Sequence, residues 1–131
     1  MKYFLCTFDQ VYLGVLSECT ERVISVSRKQ TSIMESEKQE VFISLPLLFG
    51  RADLGAPHGI VLKSKNNERK TTLLAPPLDI DLEIPEEEIF TVPKAFGGRL
   101  CYFKGACFIK KEQEERLVFT LDIDKLLKDF H

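Results

Sequence analysis

The chain has 131 residues, of which 44% are hydrophobic and 29% charged, and a formal net charge of −2. That is the size and make-up of one compact unit with a real core. A near-neutral balance without a Lys/Arg stripe interleaved with aromatics argues against a nucleic-acid partner. The opening MKYFLCTFDQ is too short and too charged for an export signal, and no apolar stretch approaches membrane-spanning length. The four cysteines, none spaced as Cys-x-x-Cys, are therefore expected as reduced thiols in a cytoplasmic protein, buried and inert.

Lys2 to Phe8 alternates Tyr3, Leu5 and Thr7 against Phe4, Cys6 and Phe8, a strand apolar on both faces that belongs inside a barrel. Asp9-Gln10 turns the chain and Val11 to Leu16 returns, with Gly14 marking a bulge or a close backbone approach. Ser17 to Ser27 is divided. Ser17 or Thr20 can cap a helical turn, whereas Val23, Ile24 and Val26 favour extension. Arg28 to Gln39 is polar apart from Ile33-Met34 and reads as an exposed loop. Glu40 to Leu45 is a strand, and Pro46 to Gly50 its short helical cap, stopped by Gly50.

After the loop Arg51 to Pro57, His58 to Ser64 and Glu68 to Ala75 are strands joined at Lys65-Asn66-Asn67. Leu78 to Ile84 alternates, with Asp79, Asp81 and Glu83 opposite the aliphatics, and reads as a half-buried strand. Pro85 and three glutamates start a helical turn. Phe90 and Val92 are expected in the core, ahead of the Gly97-Gly98 break. Leu100 to Ile109 reads as a strand, Lys110 to Glu115 as a hairpin tip and Arg116 to Asp122 as the return strand. Asp122 caps a closing helix with Ile123, Leu126, Leu127 and Phe130 on one face. Many short strands with regular turn signals argue an all-β class.

No catalytic pattern stands out: there is no Gly-x-Ser-x-Gly, no glycine-rich phosphate loop and no His-Glu-x-x-His. His58 has no nucleophile placed beside it by sequence, so it is read as structural or merely exposed. The carboxylates of Asp79 to Glu88 leave three readings: a solvated outer face, a dock for a basic partner, or a hard-cation site lacking the glycine and twelfth ligand of a calcium loop. Neither enzymatic activity nor a cofactor or metal is expected.

The order of the last parts resembles the end of the CheW-like domain of bacterial chemotaxis. The residues that carry it are the aromatic-x-x-Gly strand Tyr102-Phe103-Lys104-Gly105, the return strand Leu117-Val118-Phe119 and the acidic-x-x-Lys-Leu-Leu helix from Asp122 to Leu127. The opening hairpin with its Tyr-x-Gly-Val, and the strand-to-cap segment ending Phe49-Gly50, are similar to the family's as well, so the resemblance runs from about Tyr3 to Leu127. It implies one CheW-like domain over 1–131: two small, intertwined five-stranded SH3-like β-barrels on a shared core, with strands exchanged between halves, and a short C-terminal helix.

The same resemblance implies a non-catalytic scaffold that couples chemoreceptors to a CheA-type histidine kinase. The implied partners are the regulatory domain of that kinase, the chemoreceptor cytoplasmic tip and other CheW-like proteins. The implied contact residues are Thr20, Arg22 and Val23 in one half and Lys94, Ala95 and Phe96 in the other. Pro93-Lys94-Ala95-Phe96 is similar to the family's Pro-x-Phe docking loop with one residue more. Two departures count against receptor contact. Ser36 and Glu37 stand where the family has the Arg and Gly of its Asn-Leu-Arg-Gly stretch, and Thr72 to Leu78 replaces a Gly-x-x-Val-Asp-x-Val pattern. The alternative is a divergent scaffold that binds kinase or other CheW-like domains without touching a receptor, or that serves a non-chemotactic complex.

Overall fold

The computed structural model describes residues 1–64, 69–92 and 98–130, with Ile80, Gly98 and Arg99 described as backbone only. The expected link at Lys65-Asn66-Asn67 lies outside them. β1 (Lys2–Phe8) and β2 (Val11–Leu16) form a hairpin closed by Asp9-Gln10, with Asp9 at φ 58°, a left-handed position that aspartate tolerates better than most residues. The divided segment contains both readings in series: a 3-10 turn at Ser17–Cys19, then β3 (Thr20–Ser25).

β4 (Met34–Glu37) and β5 (Glu40–Ser44) follow, so the stretch expected as an exposed loop carries an edge strand. Its residues are mostly exposed and polar, and a strand lying on the sheet rim leaves no hydrophobic alternation to read. α1 (Leu45–Leu48) is capped by Ser44, whose Oγ accepts from the Leu47 N–H at 3.2 Å. It ends as expected at Gly50, φ 74°, with the Gly50 N–H on the Leu47 carbonyl and the Arg51 N–H on the Pro46 carbonyl.

β6 (His58–Leu62), β7 (Lys70–Ala75) and β8 (Leu78–Glu83) come next. A 3-10 turn at Glu86–Glu88 and the short β9 (Phe90–Thr91) follow. The strand expected from Leu100 begins later. Residues Gly98–Tyr102 form a 3-10 turn and β10 is Phe103–Lys111. β11 (Glu114–Leu121) pairs with it from Lys111↔Glu114, so the tip shrinks to Glu112 and Gln113, both at positive φ. α2 (Ile123–Asp129) starts at Asp122, whose carboxylate accepts from the Lys125 N–H at 3.1 Å.

The strands form two sheets, ordered β8-β1-β2-β11-β10-β9 and β3-β6-β7-β5-β4, with parallel pairs β2/β11 and β5/β7. The class is all-β, as expected, but the division differs in detail. The first sheet has six strands and draws on both ends of the chain, and the second is one continuous insert between β2 and β8. Among the described residues neither sheet closes on itself through backbone hydrogen bonds.

The alternation of β1 and β2 shows why both faces are apolar. Tyr3, Leu5 and Tyr12 join Ile84, Cys107 and Val118 in a small core under the first sheet. Cys6, Leu13 and Val15 turn the other way, into the larger core against Val41, Ile43, Ile60, Leu62 and Leu73 of the second. A run of aromatic contacts crosses that larger core. Phe8 meets Phe49 edge-on at 6.0 Å, Phe49 stacks on Phe103 at 4.9 Å, and Phe103 stacks on Phe119 at 4.6 Å.

Candidate docking surfaces

The residues expected to meet partners in the first half sit on β3, one rim of the second sheet. Thr20 does not present a surface there: it is buried, and its hydroxyl donates to the Leu16 carbonyl at 3.3 Å. Arg22 and Val23 are exposed. Val23 pairs in register with Ile60, a fully buried core residue, so the apolar face of the sheet continues to its rim and stays 37% exposed at Val23.

Ser36 and Glu37 lie on β4, the opposite rim. The chain reaches it by crossing the outer face of the second sheet, where Arg28 settles 4.3 Å above the Phe42 ring. Arg28 also donates to Glu35 at 3.0 Å and to Glu37 at 2.6 Å, and holds both carboxyls below the usual glutamate range; at Glu35 the Thr31 hydroxyl contributes most. Ser36 accepts from Arg69 at 3.3 Å. The rim is therefore not simply acidic. Its two glutamates are matched by an arginine supplied from the preceding segment, which residue-by-residue comparison of the strand cannot reveal.

Lys94, Ala95 and Phe96 fall outside the described residues. On the first sheet the structure shows an apolar surface that the sequence reading missed. Phe90, expected in the core, is 68% exposed, and Phe108 is 60% exposed. Phe90 pairs with Ala106, two residues before Phe108, so both rings project from one face of the sheet. Leu117 and Phe119, opposite Phe108 and Ala106 on β11, continue that face toward the larger core. The signal was present in the alternation: Lys104, Ala106, Phe108 and Lys110 share one side of the strand, and Gly105, Cys107 and Ile109 the other. Val92 is half-buried against the larger core.

The acidic strand β8 is an edge of the first sheet, and each of its carboxylates has a cation. Asp79 pairs with Lys111, Asp81 with Lys2 at 2.8 Å and Glu83 with the terminal amine at 2.9 Å. Among the described residues no group of three His, Cys, Asp or Glu side chains comes together as a metal would need. The nearest hydrogen-bond partner of His58 is structural, the Leu78 N–H facing its Nδ1 at 3.5 Å. No described helix is long and apolar enough to cross a membrane.

No protein-family model matches the chain, and no curated protein matches it. Among solved structures it is similar to the scaffolding protein TtCheW from Thermoanaerobacter tengcongensis. The two share 15% identity with a TM-score of 0.66, over 93% of this chain and 84% of that one. The fold is the CheW fold. The expected fold is thus found over 93% of the chain, and the two exposed rims and the Phe90–Phe108 face are features of this chain on that fold.

Proposed function

We propose that this protein is a non-catalytic adaptor of the cytoplasm that docks beside the regulatory domain of a CheA-type histidine kinase, or beside other CheW-like domains. The observation that supports it most is the CheW fold over 93% of the chain. Two exposed surfaces suit such a role: the β3 rim at Arg22 and Val23, and the Phe90–Phe108 face. Fold alone does not fix function, so the decisive experiment is binding. Calorimetric titration against the CheA-type regulatory domain of the same genome should give saturable binding in the micromolar range, roughly −8 kcal/mol. No heat and no co-elution would overturn the reading.

A second reading, a scaffold that holds kinase or CheW-like neighbours without touching a receptor, is favoured by the β4 rim. Arg28 is engaged there with Glu35 and Glu37 and stacked on Phe42. A pull-down that retains the kinase but not receptor cytoplasmic tips supports this reading, and robust receptor binding would sink it.

A further inference from the structure

A groove of about 620 Å³ runs between the lower end of the second sheet and α2, a volume within the roughly 300–1,000 Å³ of ordinary ligand sites. Its floor is apolar: Val41 of β5, Leu62 of β6 and Leu127 of α2. Thr71 of β7, the register partner of Val41, completes it. Thr71 is 7% exposed, and its hydroxyl makes no hydrogen bond among the described residues. Thr71 lines the groove, which places its hydroxyl among the groups a bound segment would meet.

Among the described residues the rim has one sign of charge: Lys63, Arg69 and Lys128 line it together with Ser64, and no described carboxylate does. In a chain with 20 acidic and 18 basic side chains this is a local reversal. Among the described residues Lys63 has no ion pair, and Arg69 spends its guanidinium on a 3.3 Å contact to the neutral Ser36 hydroxyl. Lys63 and Arg69, held beside an apolar floor, have no carboxylate partner among the described residues, which favours an anionic partner.

We propose that this groove docks an acidic, apolar peptide segment of a protein partner. Acidic side chains would meet Lys63 and Arg69 at the rim, aliphatic side chains would cover Val41, Leu62 and Leu127, and the Thr71 hydroxyl would donate to a backbone carbonyl. A small inorganic anion would satisfy the rim but leave the floor uncovered. The site is distinct from the two surfaces of the adaptor reading, and its test needs neither kinase nor receptor.

The test is an amide-resolved NMR titration of the whole chain with a capped hexapeptide alternating glutamate and leucine. Saturable shifts are expected at Val41, Leu62 to Ser64, Arg69 to Thr71 and Leu127. Affinity should fall at least about tenfold in the Lys63→Glu/Arg69→Glu variant and should weaken with salt. Lys63→Gln/Arg69→Gln, a milder change, should lose several-fold and covers the case in which charge reversal harms folding. The proposal is overturned by absence of saturable shifts, by equal binding of a lysine–leucine hexapeptide, or by inorganic phosphate acting as tightly at the same residues.

Discussion

The Tyr12 hydroxyl donates to the Asp79 carboxylate at 2.8 Å, joining β2 to β8 across the intervening β1. Lys111, at the far end of β10, completes the group by pairing with the same carboxylate and donating to the Tyr12 oxygen at 3.1 Å. In the sheet order β1, β2 and β11 separate β8 from β10. The first sheet must therefore curl until its opposite strands are within a side chain's reach, and this polar group fastens the curl where backbone pairing does not. Replacing Tyr12 by Phe and Asp79 by Asn, singly and together, should give a coupling energy of about 1 kcal/mol in urea unfolding. Additive losses would show that the three groups are neighbours without being a unit.

Asp79 also carries a pH signature. Lys111 first, and the Tyr12 hydroxyl second, hold its carboxyl below the ordinary aspartate value. A depressed carboxylate contributes stability that is present above its unfolded value, near about pH 4, and lost as pH falls through the folded value. The acid limb of the stability profile should therefore be shallower in Asp79→Asn than in the parent, with no difference in slope between neutral pH and about pH 6. Thermal melts across that range read it directly.

Gly105 sits where β10 meets β9 and β11. A Cβ there would collide with the Ile89 side chain and come within 3.0 Å of the Phe90 carbonyl oxygen and 3.1 Å of the Thr120 hydroxyl. The side chain can yield, but the carbonyl belongs to the backbone of β9. Gly105→Ala should cost roughly 1–3 kcal/mol by overpacking and should loosen β9, seen as faster amide exchange at Val92, whose N–H donates to the Lys104 carbonyl at 3.2 Å. Unchanged stability would mean that β9 moves aside freely.

The thiols are not uniform, as the expectation of four inert cysteines had it. Cys6 is fully buried and pushed up to about 12, and Cys107 is buried and raised for the same reason. Cys19 and Cys101 are half-buried. Iodoacetamide at mildly alkaline pH should alkylate the native protein first at Cys101, more slowly at Cys19, whose thiol is also pushed up by burial, and reach Cys6 and Cys107 only in denaturant. Mass spectrometry of peptides resolves the two pairs. Early modification of Cys6 would show that the larger core opens readily.

Phe90 and Phe108 are exposed, so their removal should cost the fold little. The double change to serine is expected to leave urea stability within about 0.5 kcal/mol and to weaken binding to the kinase regulatory domain by tenfold or more. Full binding with intact folding would move the docking surface elsewhere, with the β3 rim next to be tested through Val23→Ser.

Much of the fold was legible because its signals are local. The two-faced β1, the Gly50 end of α1, the Asp122 cap and the alternation of β8 each follow from residues next to one another. What stayed hidden depends on distant chain. β4 has no apolar alternation and becomes a strand only because β5 offers its edge. Phe90 looks like core until the sheet order places it on a rim with nothing over it. The Glu35–Glu37 rim was read from its own residues, and the arginine that neutralises it arrives from another segment. Thr20 looked available, but it lies at the strand end that turns inward.

The nesting of one sheet within the other also sets an order of events as the chain folds. Every partner of β3 to β7 lies within the insert itself, the widest pairing being Thr20 with Leu62. The parallel seam that pairs Val11 with Leu117 spans nearly the whole chain, and its closure entropy is lost before any of its contacts form. A folded insert would bring the ends of β2 and β8 together and shorten the effective loop that the seam must close. The β2/β11 seam is therefore the pairing expected to close last, and the larger core, which needs Leu13 and Val15 of β2 and Leu121 of β11, is completed with it.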